Sequence, residues 1–378
     1  MAINVRRLCR LNLNLSNNIL SKSNFINVGV RSLYSEQDLG VPLYENARYI
    51  FRNQFMTIED TFRSKMKEIC EKEDGVIYTE DLKAMLHLVH ENDEDMKLLS
   101  KMLEKYVRTK EERKITVYAF GPVVMRMFYY LDQPQRALAM FENNELSEHF
   151  DYRTSFRILM CLLYKHNMFK EMRDVYDKIL LNKGMDFIGN NSVLMYAGCV
   201  KENTPEALDY ALKQWKDQYD TVKPSLRSSS LVALLALKNN ASEVAAEILS
   251  VTDRETAISI RCLKMLTYMS LQKYVQIIPL LKCAVESDTS VRQQKFFADV
   301  IYELEEKLKS ETVPEREEIL HLIDDLKKGD LLEMHCTLEE FLLRPMSIPK
   351  QTLGRNRMKF ASSNNQPKQA AAGLKNYF

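Results

Sequence analysis

A repeat of 35 residues is the feature that most constrains how this chain can fold. When the sequence is aligned with itself at that offset, four columns stay apolar through four successive rows. These columns are Leu88/Val123/Ile158/Val193, Val89/Val124/Leu159/Leu194, Met102/Ala137/Met172/Ala207 and Tyr106/Phe141/Tyr176/Ala211. With 46% hydrophobic residues in the chain, chance would make about 7 of these 16 positions apolar. A fixed period of about 35 residues is typical of helical-hairpin solenoids, in which each hairpin buries its apolar face against its neighbours.

The composition also favours an all-α fold. Gly and Pro number only 10 each among 378 residues, as expected for a mostly helical chain. The longest apolar run, at 231–237, has seven residues, whereas a membrane span needs about 18, so we expect no membrane span. The seven cysteines include no CxxC pair, which predicts free thiols in a reducing compartment in place of a disulfide framework.

Charge is strongly segregated along the chain. Residues 1–35 hold five basic side chains and residues 341–378 hold seven, and neither segment contains an acid. The total of +1 therefore leaves residues 36–340 at −11. The overall field of such a body does not attract a polyanion. Residues 113–190 differ from the rest of this acidic body, because their 11 basic and 9 acidic side chains give a local charge of +2.

The first 35 residues have the composition of a mitochondrial presequence. They are basic, free of acid and rich in Ser and Asn, and their first part is mildly amphipathic. We therefore predict a transit peptide at 1–35 and a location in the mitochondrial matrix. The alternative is a disordered basic arm of a cytosolic protein.

Helical periodicity divides the rest of the chain into further segments. An N-terminal helical segment is expected at 42–74 and a repeat array at 75–290, with hairpins near 79–106, 118–146, 154–181 and 190–217. Asp132 and Asn167 occupy equivalent inter-helix turns, where a short polar residue can adopt the left-handed conformation, and Gly184 is expected to close the third hairpin. Beyond Trp215 the 35-residue register drifts, although two more helix pairs are predicted by residue 284.

The C-terminal part is expected to cap the array. Within 291–343 we predict charged helices at 291–309 and 315–327, separated by Pro314, and a short helix at 337–343. Residues 344–378 are basic and poor in hydrophobic side chains, so we predict a disordered tail.

Two segments carry a family resemblance. The sequences at 118–132 (YAFGPVVMRMFYYLD) and 154–176 (TSFRILMCLLYKHNMFKEMRDVY) resemble pentatricopeptide repeats, and residues 137–141 match the Ala-Leu-x-x-Phe motif of the second repeat helix. Across residues 80–285, the order of motifs together with the basic leader is similar to the family of mitochondrial pentatricopeptide repeat-containing protein 2. The resemblance implies an α–α superhelix, a solenoid of pentatricopeptide-type hairpins with flanking helices. It also implies a role in mitochondrial RNA maturation and respiratory-chain function.

Pentatricopeptide repeats can read one base per repeat with two or three side chains. Carried over onto this chain, the reading positions in the first helices are His87, Pro122, Arg157 and Ser192. Their partners at the repeat ends are Val117, Tyr152 and Phe187. Pro122 and Val117 offer no donor and acceptor to a base edge, so the sequence departs from the family pattern and base-by-base specificity is not expected.

At this surface we expect a weaker contact with RNA that does not depend on base sequence. Lys83, Arg126, Arg153 and Arg157 are candidate phosphate contacts, and Tyr152 or Phe187 could stack on a base. An exposed helix-face charge is the alternative interpretation of each cation.

No catalytic or metal site is predicted. His87 and His90 are three residues apart without a third ligand at metal spacing, and His335-Cys336 has no orienting partner. Phosphate-loop, GxSxG and HExxH motifs are missing from the sequence. We therefore expect no cofactor and no enzymatic activity.

Two functions fit these observations. The first is a non-catalytic mitochondrial RNA-binding protein that acts in processing or stability of a single-stranded transcript, with other RNA-processing or ribosomal proteins as candidate partners. The second is a protein–protein scaffold in a mitochondrial ribosomal or respiratory-assembly complex, which the acidic body and the poor base-reading residues favour.

Overall fold

The computed structural model describes residues 33–113, 118–252, 257–285, 295–311 and 313–346. Within these ranges almost all regular structure is helical, and the all-α helical-repeat solenoid predicted from the repeat is confirmed. Most of the predicted transit peptide, up to residue 32, and most of the predicted tail, from residue 347, lie outside the described residues and stay predictions.

The helices before and within the first three hairpins are α1 (Glu36–Leu39), α2 (Val41–Phe55), α3 (Glu59–Glu71), α4 (Thr79–Leu88), α5 (Asp93–Arg113), α6 (Phe120–Tyr130), α7 (Pro134–Glu142), α8 (Arg153–Lys165) and α9 (Phe169–Ile188). Those that follow are α10 (Ser192–Glu202), α11 (Pro205–Thr221), α12 (Leu226–Lys238), α13 (Ser242–Ser250), α14 (Ile258–Ser270), α15 (Ile278–Val285), α16 (Ala298–Ser310), α17 (Arg316–Lys328) and α18 (Leu338–Leu343). Short 3₁₀ turns lie at Asn144–Phe150, Gly189–Asn191 and Tyr274–Gln276. No helix in the described ranges is both long and apolar enough to cross a bilayer.

A left-handed residue joins the two helices in each of five successive hairpins. Asp132 and Asn167 have φ of 54° and 57°, as the sequence predicted, and Asn203, Asn240 and Gln272 have φ of 50°, 58° and 56°. A short polar side chain tolerates this conformation better than a branched one. The repeat therefore continues beyond Trp215, where its register is lost in the sequence.

The apolar columns of the repeat form the core. Of their 16 positions, all but Val123 are buried, and Val123 is partly buried and packs against the same cluster. Burial of one aliphatic side chain contributes about 1.5–3 kcal/mol to stability. The first helices of successive hairpins (α4, α6, α8, α10, α12, α14 and α16) pack on one another in order. We call this series the first-helix row.

Gly121 lets two members of this row approach closely. A Cβ built on Gly121, in the first turn of α6, would lie 1.9 Å from the carbonyl oxygen of His149 and 2.8 Å from Oγ of Ser155. Both contacts are too short for any side chain. Only glycine fits where α6 meets the start of α8.

The C-terminal hairpin differs from the sequence prediction at its start. Residues 296–297 are extended and form β1 (Phe296–Phe297), which pairs in parallel with β2 (Leu332–Glu333). The helix expected from residue 291 therefore begins, in the described residues, at Ala298. Phe296 and Leu332, which face each other in this pairing, are both buried. Apolar pairing with a distant segment has overridden the local helix propensity of the sequence.

Helices α16 and α17 continue the array as a further hairpin. Helix α16 packs on α14 and α17 on α15. Each buries one apolar stripe, which includes Ile301 and Leu304 in α16 and Ile319 and Ile323 in α17. Their opposite faces are charged and exposed, as a terminal repeat requires.

Candidate nucleic-acid interface

The amino ends of the first helices lie along one edge of the array. Each short turn reverses the chain, so successive first helices run in the same direction. Lys83 of α4 lies beside Tyr118, two residues before α6, and Arg157 of α8 bonds to Asn191, which directly precedes α10. We call the polar and aromatic side chains Lys83, Tyr118, Tyr152, Arg153 and Phe187 the amino-end edge.

Lys83 and Tyr118 form a cation–aromatic pair at this edge. The ammonium nitrogen of Lys83 is 4.4 Å from the ring centroid of Tyr118 and 2.8 Å from Oε1 of Glu80. Tyr118 is 37% exposed, so one face of its ring can be reached from solvent. Stacking and a positive charge are therefore available at the same point.

Arg153 and Phe187 form a second pair. Arg153 is exposed as the first residue of α8, and its guanidinium carbon is 5.9 Å from the ring centroid of Phe187. Tyr152, immediately before the helix, is half-buried. Three of the predicted RNA-contacting residues, Lys83, Tyr152 and Arg153, thus remain accessible. Tyr152 and Arg153 lie at the amino end of α8, where the helix dipole also favours anions.

The predicted base-reading positions have a different environment. His87 is 7% exposed, and its ring stacks between Phe51 at 4.8 Å and Tyr44 at 5.0 Å. Its Nδ1 lies 2.7 Å from the carbonyl oxygen of Lys83. Burial, and to a lesser extent the charge of Arg48, lower the pKa of His87. This imidazole is a neutral packing group with no edge open to a base.

The next positions of this column are also used inside the protein. Pro122 is buried, and Ser192 is 2% exposed with its hydroxyl donating to the carbonyl oxygen of Gly189 at 3.1 Å. Val117, an expected partner position, lies outside the described residues. The burial of His87 and Ser192 removes both from the surface that RNA could contact.

Arg126 and Arg157 are held by the N-terminal segment, which we define as residues 33–55. Nε of Arg126 donates to the carbonyl oxygen of Leu39 at 2.7 Å, and burial lowers the pKa of Arg126. The guanidinium of Arg157 lies 4.9 Å from the ring centroid of Tyr34, and its Nε donates to Oδ1 of Asn191 at 2.9 Å. Both arginines therefore serve internal contacts.

Helix α2 lies across the start of the first-helix row. The hydroxyl of Tyr44 donates to the carbonyl oxygen of Leu86 at 2.7 Å. Arg48 donates to the carbonyl oxygens of His87 at 3.0 Å and Val89 at 2.7 Å. These bonds satisfy carbonyls that the end of α4 leaves unpaired, so α2 acts as a carboxyl-terminal cap for α4.

The two terminal segments of the described chain meet each other. The amide of Met346 donates to the carbonyl oxygen of Leu33 at 2.7 Å, and Leu33 and Tyr34 are 0% and 3% exposed. The last residues assigned to the transit peptide and the first residues assigned to the tail thus belong to the folded body. Helix α18 packs on α12 and α14, and Nε of Arg227 donates to the carbonyl oxygen of Leu342 at 2.8 Å. Much of the first-helix row is thereby covered by the protein itself.

Sequence reasoning missed Arg227 and Arg48. Arg227 follows Ser192 by 35 residues, but the register is lost beyond Trp215, where Ser228 and Ser229 replace the apolar columns, so the repeat gave no reason to single it out. Nothing in the sequence around Arg48 distinguishes it from a surface arginine. Its role depends on how α2 docks.

In the described ranges, no group of three or more His, Cys, Asp or Glu side chains is placed to hold a metal ion. The amide of His335 donates to Oε1 of Glu333. Burial and the nearby carboxylates of Glu340 and Glu333 raise the pKa of Cys336, which makes its thiol a weak nucleophile.

The curated proteins that match this chain all carry the same name. No family model and no solved structure matches the chain. Pentatricopeptide repeat-containing protein 2, mitochondrial, of Homo sapiens is 26% identical over 256 residues, which cover 67% of this chain and 65% of that protein. The protein of that name from Mus musculus is 27% identical over 259 residues, with 67% and 66% covered, and the one from Danio rerio is 24% identical over 289 residues, with 75% and 74% covered.

The matched region thus spans just under two thirds of the human and mouse relatives. These matches agree with the resemblance that the repeat residues carry. Over about two thirds of its length, this all-α helical-repeat chain is similar to the mitochondrial pentatricopeptide repeat-containing protein 2 proteins.

Proposed function

We propose that this chain is a non-catalytic RNA-binding protein of the mitochondrial matrix. It acts in the maturation, processing or stability of mitochondrial transcripts and so supports the respiratory chain. The support is the similarity to relatives named as mitochondrial pentatricopeptide repeat proteins, together with the helical-repeat fold.

One observation carries the proposal for this particular chain. Cations and aromatic rings are paired at the amino ends of successive first helices, as Lys83 with Tyr118 and Arg153 with Phe187. Single-stranded RNA is bound elsewhere by the same combination, because rings stack on bases of any identity and cations pair with phosphates. Such a surface holds RNA with little sequence preference.

The path of the RNA follows from the contacts of the terminal segments. Because residues 33–55 and α18 pack on much of the first-helix row, the strand runs along the amino-end edge instead of across the row. His87 and Ser192 are buried and take no part. The proposed contacts are Lys83, Tyr118, Tyr152, Arg153 and Phe187.

A matched pair of double variants tests this site. Lys83→Gln with Arg153→Gln removes two charges from the amino-end edge. Lys309→Gln with Arg316→Gln removes two charges from α16 and α17, where Lys309 forms the same type of i,i+3 ion pair as Lys83 and Arg316 opens a helix as Arg153 does.

The measurement is binding of a labelled 12-nucleotide RNA of mixed sequence as salt is raised from 50 to 200 mM. We expect the Lys83/Arg153 variant to bind about tenfold more weakly at low salt, and its log–log salt slope to fall by about 1.4, or 0.7 per lost phosphate contact. The control variant should bind like the unaltered protein. Equal affinities for all three proteins, or no RNA crosslinked to the chain in intact mitochondria, would contradict the proposal.

A protein–protein scaffold in a mitochondrial ribosomal or respiratory-assembly complex is the second candidate. The acidic body and the exposed apolar side chains Leu43 and Met56 on and just after α2, which are 78% and 75% exposed, favour it. A stable complex that survives ribonuclease digestion, in the absence of any RNA crosslink, would support this second function.

A further inference from the structure

A cavity of about 1000 Å³ lies at the C-terminal part of the first-helix row, between α12, α14, β1 and α18. Its wall carries three cations, Arg227, Lys295 and Arg344, against one carboxylate, Glu333. Lys295 is partly neutralised by Asp330 at 2.7 Å. The positive balance of the wall, surrounded by apolar side chains, favours an anionic ligand.

Three helix amino ends open onto the same cavity. Its lining includes Leu226 at the start of α12, Ile258 at the start of α14, and Phe297 directly before α16. No side chain of the described residues caps the amino end of α14 or α16. The first amide groups of a helix lack intrahelical partners and carry the positive end of the helix dipole, so the uncapped ends of α14 and α16 attract an anion. The amino end of α12 is capped by the hydroxyl of Ser225, which accepts from the amide of Ser228.

A buried hydroxyl without a partner lies in the same wall. Ser230 is 0% exposed, and among the described residues its Oγ has no hydrogen-bond partner, although it lines the cavity. A buried hydroxyl that is left unpaired costs roughly 1–3 kcal/mol. Because this oxygen is closed off from solvent, a ligand oxygen in the cavity would supply the missing bond after a small outward movement of the Ser230 side chain.

The two arginines are placed for anion binding. Arg227 donates to the carbonyl oxygens of Leu342 and Arg344, and the rest of its five N–H groups have no hydrogen-bond acceptor among the described residues. Burial, and then the nearby charge of Arg344, lower the pKa of Arg227 to about 10. The guanidinium of Arg344 lies 4.0 Å from the ring centroid of Phe341 and is exposed. A doubly charged anion between the two guanidiniums would relieve their repulsion.

We propose that this cavity binds the terminal phosphate monoester of a nucleotide, supplied by a free mononucleotide or by the 5′ end of an RNA strand. A phosphate monoester carries close to two negative charges and three acceptor oxygens, which match two guanidiniums, free helix amides and the hydroxyl of Ser230. The volume is at the upper end of the range for small-ligand sites and leaves room for the attached nucleoside. Binding of an RNA 5′ end rests on the proposed RNA-binding function, whereas binding of a free mononucleotide does not.

The test uses the full chain and three probes. Two are the same RNA octamer with a 5′-phosphate or a 5′-hydroxyl, and the third is adenosine 5′-monophosphate, whose binding is followed by calorimetry. We expect the phosphorylated octamer to bind about tenfold more tightly than the hydroxyl form, because hydrogen bonds to a charged group usually contribute this much to affinity. Adenosine 5′-monophosphate should bind and should compete away that preference.

Three variants locate the site. Arg344→Gln should abolish most of the preference for the phosphorylated octamer, and because this side chain is exposed the fold is not at risk. Ser230→Ala, which removes only the unpaired hydroxyl, should weaken mononucleotide binding about threefold. Arg316→Gln, which removes the same charge from α17 outside the cavity, should have no effect.

Thiol labelling gives an independent readout of occupancy. Cys336 lines the cavity, whereas Cys283 is exposed and does not. Saturating adenosine 5′-monophosphate should slow alkylation of Cys336, measured by peptide mass spectrometry, and leave Cys283 unchanged.

The outcomes separate the two proposals. Equal binding of both octamers, with no mononucleotide binding and no protection of Cys336, overturns the phosphate site and leaves the proposed RNA function standing. Mononucleotide binding that depends on Arg344, with neither octamer bound, overturns the RNA function and supports the phosphate site. A preference for the phosphorylated octamer that persists in Arg344→Gln and Ser230→Ala places the phosphate elsewhere and overturns the assignment to this cavity.

Discussion

Nε of Arg126 donates to the carbonyl oxygen of Leu39 at 2.7 Å, across 87 residues of sequence. The bond ties the turn between α1 and α2 to the middle of α6. The same pattern recurs at the other end of the array, where Arg227 donates to the carbonyl oxygen of Leu342. In both places an arginine of the first-helix row fastens a terminal segment of the described chain to the repeats.

Replacement of Arg126 by Gln should therefore loosen the N-terminal segment. The side chain would no longer reach Leu39, and a half-buried carbonyl oxygen would lose its donor, at a cost of about 1–3 kcal/mol in the free energy of unfolding. Urea denaturation measures this change, and hydrogen exchange should show faster exchange of the amides in α1 and at the start of α2. Arg316→Gln, on an exposed face, is the control. Unchanged exchange in α1 would show that the bond does not hold this segment.

Gly121→Ala should be strongly destabilising, because the new Cβ would lie 1.9 Å from a backbone oxygen of His149 that cannot move without shifting the start of α8. We expect a loss of about 3 kcal/mol, at the upper end for overpacking. Gly198→Ala is the matched change in α10, where the Cβ would meet the flexible end of Met172 at 3.3 Å.

Gly198→Ala should be neutral or slightly stabilising, because alanine is favoured over glycine inside a helix by about 0.5–1 kcal/mol. Thermal unfolding of the two variants gives the comparison. Similar melting temperatures for both would refute the close approach of α6 and α8.

His87 should make stability depend on pH below neutrality. Burial lowers its pKa in the folded protein below the ordinary value of 6.5, so the unfolded chain takes up the proton first. The contribution of the buried, neutral His87 to the free energy of unfolding is complete above pH 6.5. That contribution is lost as the pH falls from 6.5 to the pKa of His87 in the folded protein. Tyr44 and Phe51 stack on the ring, and its Nδ1 lies beside the carbonyl oxygen of Lys83. Arg48 is the nearby charge, and it donates to the backbone carbonyl of His87.

The free energy of unfolding, measured between pH 7.5 and 5.5, checks this expectation. His87→Gln should reduce the decline over that range, while replacement of the exposed Arg316 by Gln, whose guanidinium does not titrate there, should leave it unchanged. An identical decline in the unaltered protein and in His87→Gln would show that other groups cause it.

The basic C-terminal segment should divide into two parts with different roles. Deletion of 347–378 removes six of the seven basic residues of 341–378, so RNA binding should weaken while helical content, measured by circular dichroism, stays the same. Deletion of 338–378 should also destabilise the fold, because it removes α18 and the contacts of Arg227 and Leu33. A loss of helical content in the shorter deletion would contradict this division.

The sequence by itself determined the paired helices and their repeat. The apolar columns became the core in 15 of 16 positions, and Asp132 and Asn167 adopted the left-handed conformation expected of them. These features depend on periodicity and turn chemistry, which act between residues close in sequence.

Only the tertiary structure decided which polar side chains remained accessible. His87 and Arg126 looked like surface groups of an open row, yet α1 and α2 pack over them. Phe51 of α2 stacks on the ring of His87, and the carbonyl oxygen of Leu39 in α1 accepts from Arg126. β1 and the cavity beside Arg227 likewise depend on segments that lie up to 117 residues apart. Such docking is set by shape and by unpaired carbonyls on distant elements, and neither leaves a periodic signal in the chain.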